Sequence, residues 1–94
     1  MSVLISTKVK GQTHEGYDAV LAAVREVIKM APGFIFHCAH PTNNEWQVYE
    51  VWQSKADADK WFAKHIVPNL PKGVYPKRSY QELHSAVTKF EASV

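Results

Sequence analysis

Residues 34–52 read FIFHCAHPTNNEWQVYEVW and contain two apolar runs, 34–40 and 46–52. The polar segment between the runs carries Asn43 and Asn44. Because asparagine tolerates a positive φ, this segment predicts a β-hairpin that turns at these two residues. The hairpin supplies two neighbouring antiparallel strands, and the other elements can be arranged around them.

The turn also predicts which residues of the hairpin face each other. With the turn at Asn43–Asn44, Ala39 lies opposite Val48 and His37 lies opposite Glu50. A slip of one residue would change every pair, and the loop is long enough to permit it. The pairing of His37 with Glu50 is therefore an expectation that depends on the register.

The remaining sequence predicts a strand and a helix before the hairpin and a helix and a strand after it. Residues 3–9 are short and β-branched, while apolar residues recur at helical spacing over residues 17–31. A second helical pattern follows the hairpin. Thr13 is the predicted cap of the first helix and Ser54 that of the second. Residues 79–84 predict the last strand.

The order βαββαβ folds most simply as an α+β, ferredoxin-like domain with a four-stranded antiparallel sheet and both helices on one face. The first three strands are apolar on both faces in their central stretches. A sheet that is open to water alternates apolar and polar residues instead. We therefore expect a second copy of the chain to cover the face without helices, which gives a homodimeric α+β barrel.

Length and charge restrict the class of protein. The 94 residues leave room for a single domain over residues 1–94. The 11 Lys and Arg and the 9 Asp and Glu leave a formal charge of +2. These charges are scattered singly along the sequence, so we expect no nucleic-acid partner.

The sequence also bears on localisation. No apolar run is long enough to span a membrane and no signal peptide is evident, which predicts a cytoplasmic protein. The single cysteine, Cys38, is expected to be a small core residue.

Two motifs resemble the antibiotic biosynthesis monooxygenase family of dimeric α+β barrels. They are PGF at residues 32–34, leading into a strand, and WQVYEVWQS at residues 46–54, leading into an aromatic-bearing helix. The resemblance spans residues 3–86. The family includes cofactor-free oxygenases of polycyclic phenols, quinol oxygenases and haem-degrading enzymes, and a shared fold does not choose among these activities.

The haem-degrading branch matches this sequence in only one place. Trp61 falls where that branch carries a tryptophan on the second helix. Thr7 stands at the strand position of its asparagine, and Leu70 stands near the position of its iron-ligating histidine. His65 lies more than one turn earlier. Without an axial imidazole, haem binding or degradation remains a minor alternative.

His37 and Glu50 are the first candidates for catalysis. A carboxylate opposite a histidine in an apolar strand would orient the imidazole and prepare it to deprotonate a phenol. The other interpretation is a structural pair that holds the hairpin or the dimer together, and it comes first, because paired buried groups are often structural. His65 is a second candidate base, since it lies one helical turn from Trp61 and both could reach one cavity.

The candidate substrate-binding residues are aromatic or lie beside the predicted cavity: Thr7, Tyr17, Trp61, Phe62 and Tyr80. The five histidines lack the spacing of a zinc motif, and no glycine-rich cofactor motif is present, so we expect neither a metal nor a cofactor. The resemblance implies a cofactor-independent monooxygenase that acts on a small aromatic or polyketide-like phenol. The alternative is a non-catalytic dimeric barrel that binds a small apolar molecule.

Overall fold

A computed structural model describes residues 2–88. Its elements are β1 (Val3–Lys10), α1 (His14–Lys29), β2 (Phe34–Thr42), β3 (Glu45–Trp52), α2 (Lys55–Trp61) and β4 (Tyr75–Glu82). Between α2 and β4 the chain forms a π-helical segment, Phe62–Ile66, and a 3₁₀ turn, Val67–Asn69. The predicted βαββαβ order is confirmed.

The four strands form one antiparallel sheet in the order β2-β3-β1-β4. The predicted hairpin register is confirmed, because His37 pairs with Glu50 and Ala39 pairs with Val48. Asn44 takes the positive φ of the turn, at 61°. A bulge near the start of β2 shifts the pairing between Phe34 and Phe36 and so sets which of the following residues face the helices.

Both helices cover the same face of the sheet, as predicted. Their buried side chains pack on the two central strands in one apolar core, which consists of Ile5, Val24, Ile28, Trp52, Ala58 and Trp61. Each large side chain buried in this way contributes roughly 1.5–3 kcal/mol of transfer free energy. The core therefore fixes both helices against the sheet, and the helices form the sides of the site described below.

The two predicted helix caps are confirmed. The Thr13 hydroxyl accepts a hydrogen bond from the Gly16 amide at 3.0 Å, and the Ser54 hydroxyl accepts one from the Asp57 amide at 3.1 Å. Gly33, with φ of 83°, immediately precedes β2 and lies against α2, where an added Cβ would collide with the Asp57 carboxylate. This close approach requires glycine.

One predicted boundary was wrong. The last strand begins at Tyr75, not at residue 79, because β4 is an edge strand and tolerates Pro76, which has no amide to donate. The second helix continues beyond α2 with a different geometry, because the wider turns of the π-helical segment begin at Phe62. Such segments are frequent at functional sites.

The other face of the sheet carries no helix within residues 2–88, and we call it the open face. At one end it presents a mostly apolar group of half-buried and exposed side chains, Leu4, Phe36, Cys38, Tyr49 and Val51. Cys38 was predicted to be a core residue, and this prediction was wrong for the single chain, where the thiol is exposed. No helix in the part of the chain described here is long and apolar enough to cross a membrane.

Candidate active site

A cavity lies between the sheet and the two helices. Its volume, taken as the space that the centre of a water molecule can reach, is about 100 Å³. This is several times the volume that one water needs. The sheet contributes Thr7, Val48 and Glu50, α1 contributes a row of aliphatic side chains, and Trp61 and Phe62 lie on the opposite side. The lining is mainly apolar, with a few polar groups, which is typical of a site for a small organic molecule.

One group of polar residues forms a chain of hydrogen bonds at the β2 side of the cavity. The Tyr17 hydroxyl lies 2.7 Å from Nε2 of His37, and Nδ1 of His37 lies 2.7 Å from Oε2 of Glu50. The indole nitrogen of Trp52 donates to Oε1 of Glu50 at 2.9 Å. The side chains of His37 and Glu50 are only 19% and 14% exposed, so water screens their interaction weakly.

The partners of Glu50 determine the protonation of His37. Trp52 can only donate, and an ionised carboxylate can only accept, so Nδ1 of His37 carries the proton that is shared with Glu50. In the neutral imidazole, Nε2 then keeps its lone pair and accepts the Tyr17 hydroxyl proton. The geometry therefore presents a basic nitrogen next to a hydroxyl at the edge of an apolar cavity.

Tyr17 comes to this place because α1 begins immediately after the Thr13 cap, which sets the first turn of the helix beside β2. Burial, followed by the negative charge of Glu50, raises the pKa of Tyr17 to about 12. The phenol thus remains protonated at neutral pH and acts as a hydrogen-bond donor.

A second polar group lies at the β4 side of the cavity. The Arg78 guanidinium stacks over the Phe62 ring at 4.1 Å and donates to Oδ1 of Asp59 at 3.3 Å. Asp59 also accepts the Tyr80 hydroxyl at 2.6 Å and pairs with Lys55 at 2.8 Å. Partial desolvation tends to raise the pKa of Asp59, but the hydrogen bonds from Lys55 and Tyr80 outweigh it and hold the pKa below its usual value.

Six of the eight predicted site residues line this one cavity: Thr7, Tyr17, His37, Glu50, Trp61 and Phe62. The other two lie elsewhere. The ring of His65 packs near the Trp61 ring, with 5.2 Å between the ring centroids, but His65 lines a separate groove between the ends of α1 and α2. Tyr80 does not line the cavity. Its hydroxyl donates to Asp59, and the Lys55 ammonium lies over its ring, 4.3 Å from the ring centroid.

Sequence reasoning missed Arg78. The residue pairs with Thr7 across β1 and β4, so it shares the helix-covered side of the sheet. A correct start for the last strand would have revealed it, because alternation along that strand puts Pro76, Arg78 and Tyr80 on one face. The predicted start at residue 79 left Arg78 outside the strand and removed that signal.

Among the described residues, no group of three or more His, Cys, Asp or Glu side chains is arranged to hold a metal ion. The polar groups that the cavity brings together are suited to proton transfer and to hydrogen bonding.

Comparisons with known proteins identify the fold. No protein-family model and no curated protein matches the sequence. Among solved structures, SnoaB from Streptomyces nogalater, a cofactor-independent oxygenase, is similar with a TM-score of 0.69 and 14% identity, over 92% of this chain and 96% of SnoaB. MhuD, solved as a point variant with two manganese protoporphyrin IX molecules bound per active site, is similar with a TM-score of 0.65 and 15% identity, over 92% of this chain and 98% of MhuD.

A third similar structure comes from Deinococcus radiodurans, in a protein provisionally assigned as an antibiotic biosynthesis monooxygenase. Its TM-score is 0.65 at 12% identity, over 96% of this chain and 99% of that protein. These likenesses confirm, at the level of the fold, the resemblance to this family of α+β proteins. At such identities, function must be argued from the site.

Proposed function

We propose that the protein is a cofactor-independent monooxygenase acting on a small phenolic aromatic molecule, with His37 as the base. The hydrogen-bonded chain from Tyr17 through His37 to Glu50, at the wall of an apolar cavity, carries this proposal. The similarity of the fold to SnoaB supports the same class of reaction. The mainly apolar lining favours an aromatic ligand.

The first step is removal of a proton from the substrate, which is the phenolic O–H proton of a quinol or the acidic C–H proton of an anthrone CH₂ group. Because Nε2 of His37 already accepts the Tyr17 hydroxyl, the substrate's proton passes to the Tyr17 oxygen while Tyr17 gives its own proton to Nε2. Concerted transfer leaves Tyr17 neutral throughout, which agrees with its raised pKa. Glu50 stabilises the imidazolium that forms, since its carboxylate lies 2.7 Å from Nδ1.

The second step uses the substrate anion as the reductant. The anion gives one electron to O₂, and the resulting superoxide and substrate radical combine at carbon to form a peroxide anion. The imidazolium of His37 returns its Nε2 proton to Tyr17, which protonates the peroxide anion. The hydroperoxide that forms loses water and leaves a carbonyl group. The balance for an anthrone is one CH₂ group and one O₂ converted into one C=O group and one H₂O, without an external electron donor.

Oxygen uptake tests this function directly. The purified protein is supplied with an anthrone or a naphthoquinol in an oxygen electrode, and product is followed by mass spectrometry with ¹⁸O₂. His37→Gln should lower the rate by about 10²–10⁴-fold. His65→Gln is the matched control, because His65 contacts Trp61 but lines a different groove. Unchanged uptake in His37→Gln, or equal loss in both variants, contradicts the proposed role of His37.

A non-catalytic protein with the same ligand is the second candidate, favoured by the apolar cavity itself. It predicts saturable binding of the aromatic molecule with no enzyme-dependent uptake of oxygen. Calorimetric titration beside the oxygen electrode separates the two functions. Binding without turnover would replace the monooxygenase proposal with this one.

The cavity fits haem poorly. Leu70 lines it without an atom that could ligate iron, and both ring nitrogens of His37 are engaged by Tyr17 and Glu50. A haem titration followed through the Soret band should therefore show no shift at near-stoichiometric haem.

We also propose that the protein forms a homodimer through the open face. Phe36 is 49% exposed there, and Leu4, Tyr49 and Val51 continue the same apolar surface. A surface of this kind on so small a protein is typical of an interface. Light scattering after size exclusion should give twice the mass of one chain, and Phe36→Glu should halve it. A folded monomer of the unaltered protein contradicts the proposal.

A further inference from the structure

We propose that Arg78 forms an anion subsite, so that the preferred ligand is an aromatic molecule carrying a carboxylate at the end opposite its phenolic hydroxyl. The inference rests on the proposed function for the hydroxyl end only. The carboxylate end is argued from Arg78 itself, and its test measures binding without turnover.

The guanidinium of Arg78 is held in a fixed orientation. Its side chain is 13% exposed and stacks on Phe62 at 4.1 Å, with the Tyr80 ring at 5.5 Å. One of its five N–H donors bonds to Asp59 within the described part of the chain. A planar, immobilised guanidinium with donors to spare is suited to pair with a carboxylate through two parallel hydrogen bonds.

The charge of Arg78 is only partly compensated. Asp59 is the carboxylate it contacts, and Asp59 is shared with the Lys55 ammonium at 2.8 Å. Two cations therefore face one anion, and the group retains a net positive charge. Because Arg78 lines a mainly apolar cavity, an anion that enters the cavity gains a partner in an environment that screens charge weakly.

The two polar groups approach the cavity from opposite edges of the sheet. His37 lies on β2 and Arg78 on β4, and the order β2-β3-β1-β4 separates these strands by three spacings, roughly 14 Å between backbones. Val48 and Thr7, on the two central strands, lie between them. A flat ring system with polar groups at its two ends matches this arrangement.

Calorimetry with 6-hydroxy-2-naphthoate and its methyl ester tests the subsite. The two probes share the ring and the hydroxyl and differ in the charge. The unaltered protein should bind the acid at least about 10-fold more tightly than the ester, and added salt should reduce this preference. Equal affinity for acid and ester would overturn the proposal.

Three variants locate the preference. Arg78→Gln should abolish it, and Arg78→Lys, which keeps the charge but loses the planar fork, should retain only a minor part. Lys77→Gln removes the same charge from the neighbouring exposed residue on the other face and should change nothing. If Arg78→Gln fails to fold, Arg78→Lys decides. An undiminished preference in either Arg78 variant, or its loss in Lys77→Gln, would overturn the proposal.

The result is distinguishable from the outcome for the monooxygenase activity. A protein that prefers the acid but consumes no oxygen keeps the subsite and loses the proposed reaction. A protein that oxidises a neutral phenol with no preference for the acid does the reverse.

Discussion

The Tyr17 hydroxyl lies 2.7 Å from Nε2 of His37, so the proposed base already has a hydrogen-bond partner before any ligand enters the cavity. Two consequences are conceivable: Tyr17 blocks the base, or it passes the substrate's proton to it. The raised pKa of Tyr17 prevents loss of its proton to solvent and keeps the hydroxyl available as a donor. This favours the transfer role.

Tyr17→Phe distinguishes the two roles. Loss of the hydroxyl removes the connection between substrate and His37, so we expect kcat for oxygen uptake to fall by about 100-fold, with a smaller change in KM. Tyr75→Phe, at the exposed start of β4, is the matched control. A rate in Tyr17→Phe equal to or above that of the unaltered protein would mean that Tyr17 blocks Nε2.

Glu50→Gln should be severe despite its small change in shape. Trp52 and His37 both donate to Glu50, but an amide offers one acceptor oxygen and one NH₂ group. If Trp52 keeps the oxygen, the NH₂ faces Nδ1 of His37 and moves the proton to Nε2, which can then no longer accept. We expect kcat to fall by about 10³-fold or more.

Two measurements check that explanation. Nitrogen NMR of His37 should show the proton on Nδ1 in the unaltered protein and on Nε2 in Glu50→Gln. Glu45→Gln, at the start of the same strand, should leave both the tautomer and the rate unchanged. Full activity in Glu50→Gln would refute the role of the carboxylate.

The hairpin carried most of what sequence could predict about the site. Asn44 fixed the turn, and strand alternation then brought His37 opposite Glu50, because register is a local property of a tight turn. The same local reasoning found the helix caps at Thr13 and Ser54.

Contacts between distant elements were beyond that reasoning. The hydrogen bond from Tyr17 to His37 depends on how α1 crosses the sheet, which no local pattern determines. Arg78 was missed because the last strand was predicted to begin at residue 79, although an edge strand accommodates Pro76 and begins earlier. His65 was predicted to reach the cavity but does not line it, because the helix changes to π-helical turns after Trp61.

The raised pKa of Tyr17 predicts a loss of stability in alkali. The phenol has a pKa of about 12 in the folded protein and 10.0 as its ordinary value, so the folded state holds this proton more tightly. The contribution is complete below pH 10 and disappears as pH rises through 12. Two pKa units correspond to at most about 2.7 kcal/mol, and partial exposure of the ring reduces this value.

Urea denaturation between pH 9 and about 12 measures this loss, and absorbance at about 295 nm follows the tyrosinates. Tyr17→Phe should show a shallower decline than the unaltered protein. Desolvation and the hydrogen bond to Asp59 also raise the pKa of Tyr80. Tyr80→Phe is therefore required as the companion variant. Identical alkaline declines in the unaltered protein and Tyr17→Phe would contradict the assignment.

Two buried tryptophans allow the hydrogen bond to Glu50 to be measured against packing. Trp52 and Trp46 are 0% and 6% exposed. The indole nitrogen of Trp52 donates to Glu50, whereas that of Trp46 has no partner within residues 2–88. Replacing either residue by Phe removes a similar volume, but only Trp52→Phe removes a hydrogen bond to a charged group.

We expect Trp52→Phe to lower the free energy of unfolding by about 1.5–3 kcal/mol more than Trp46→Phe does. Equal losses in urea denaturation would show that Trp52 contributes through packing alone, and that Glu50 is oriented by His37 without it.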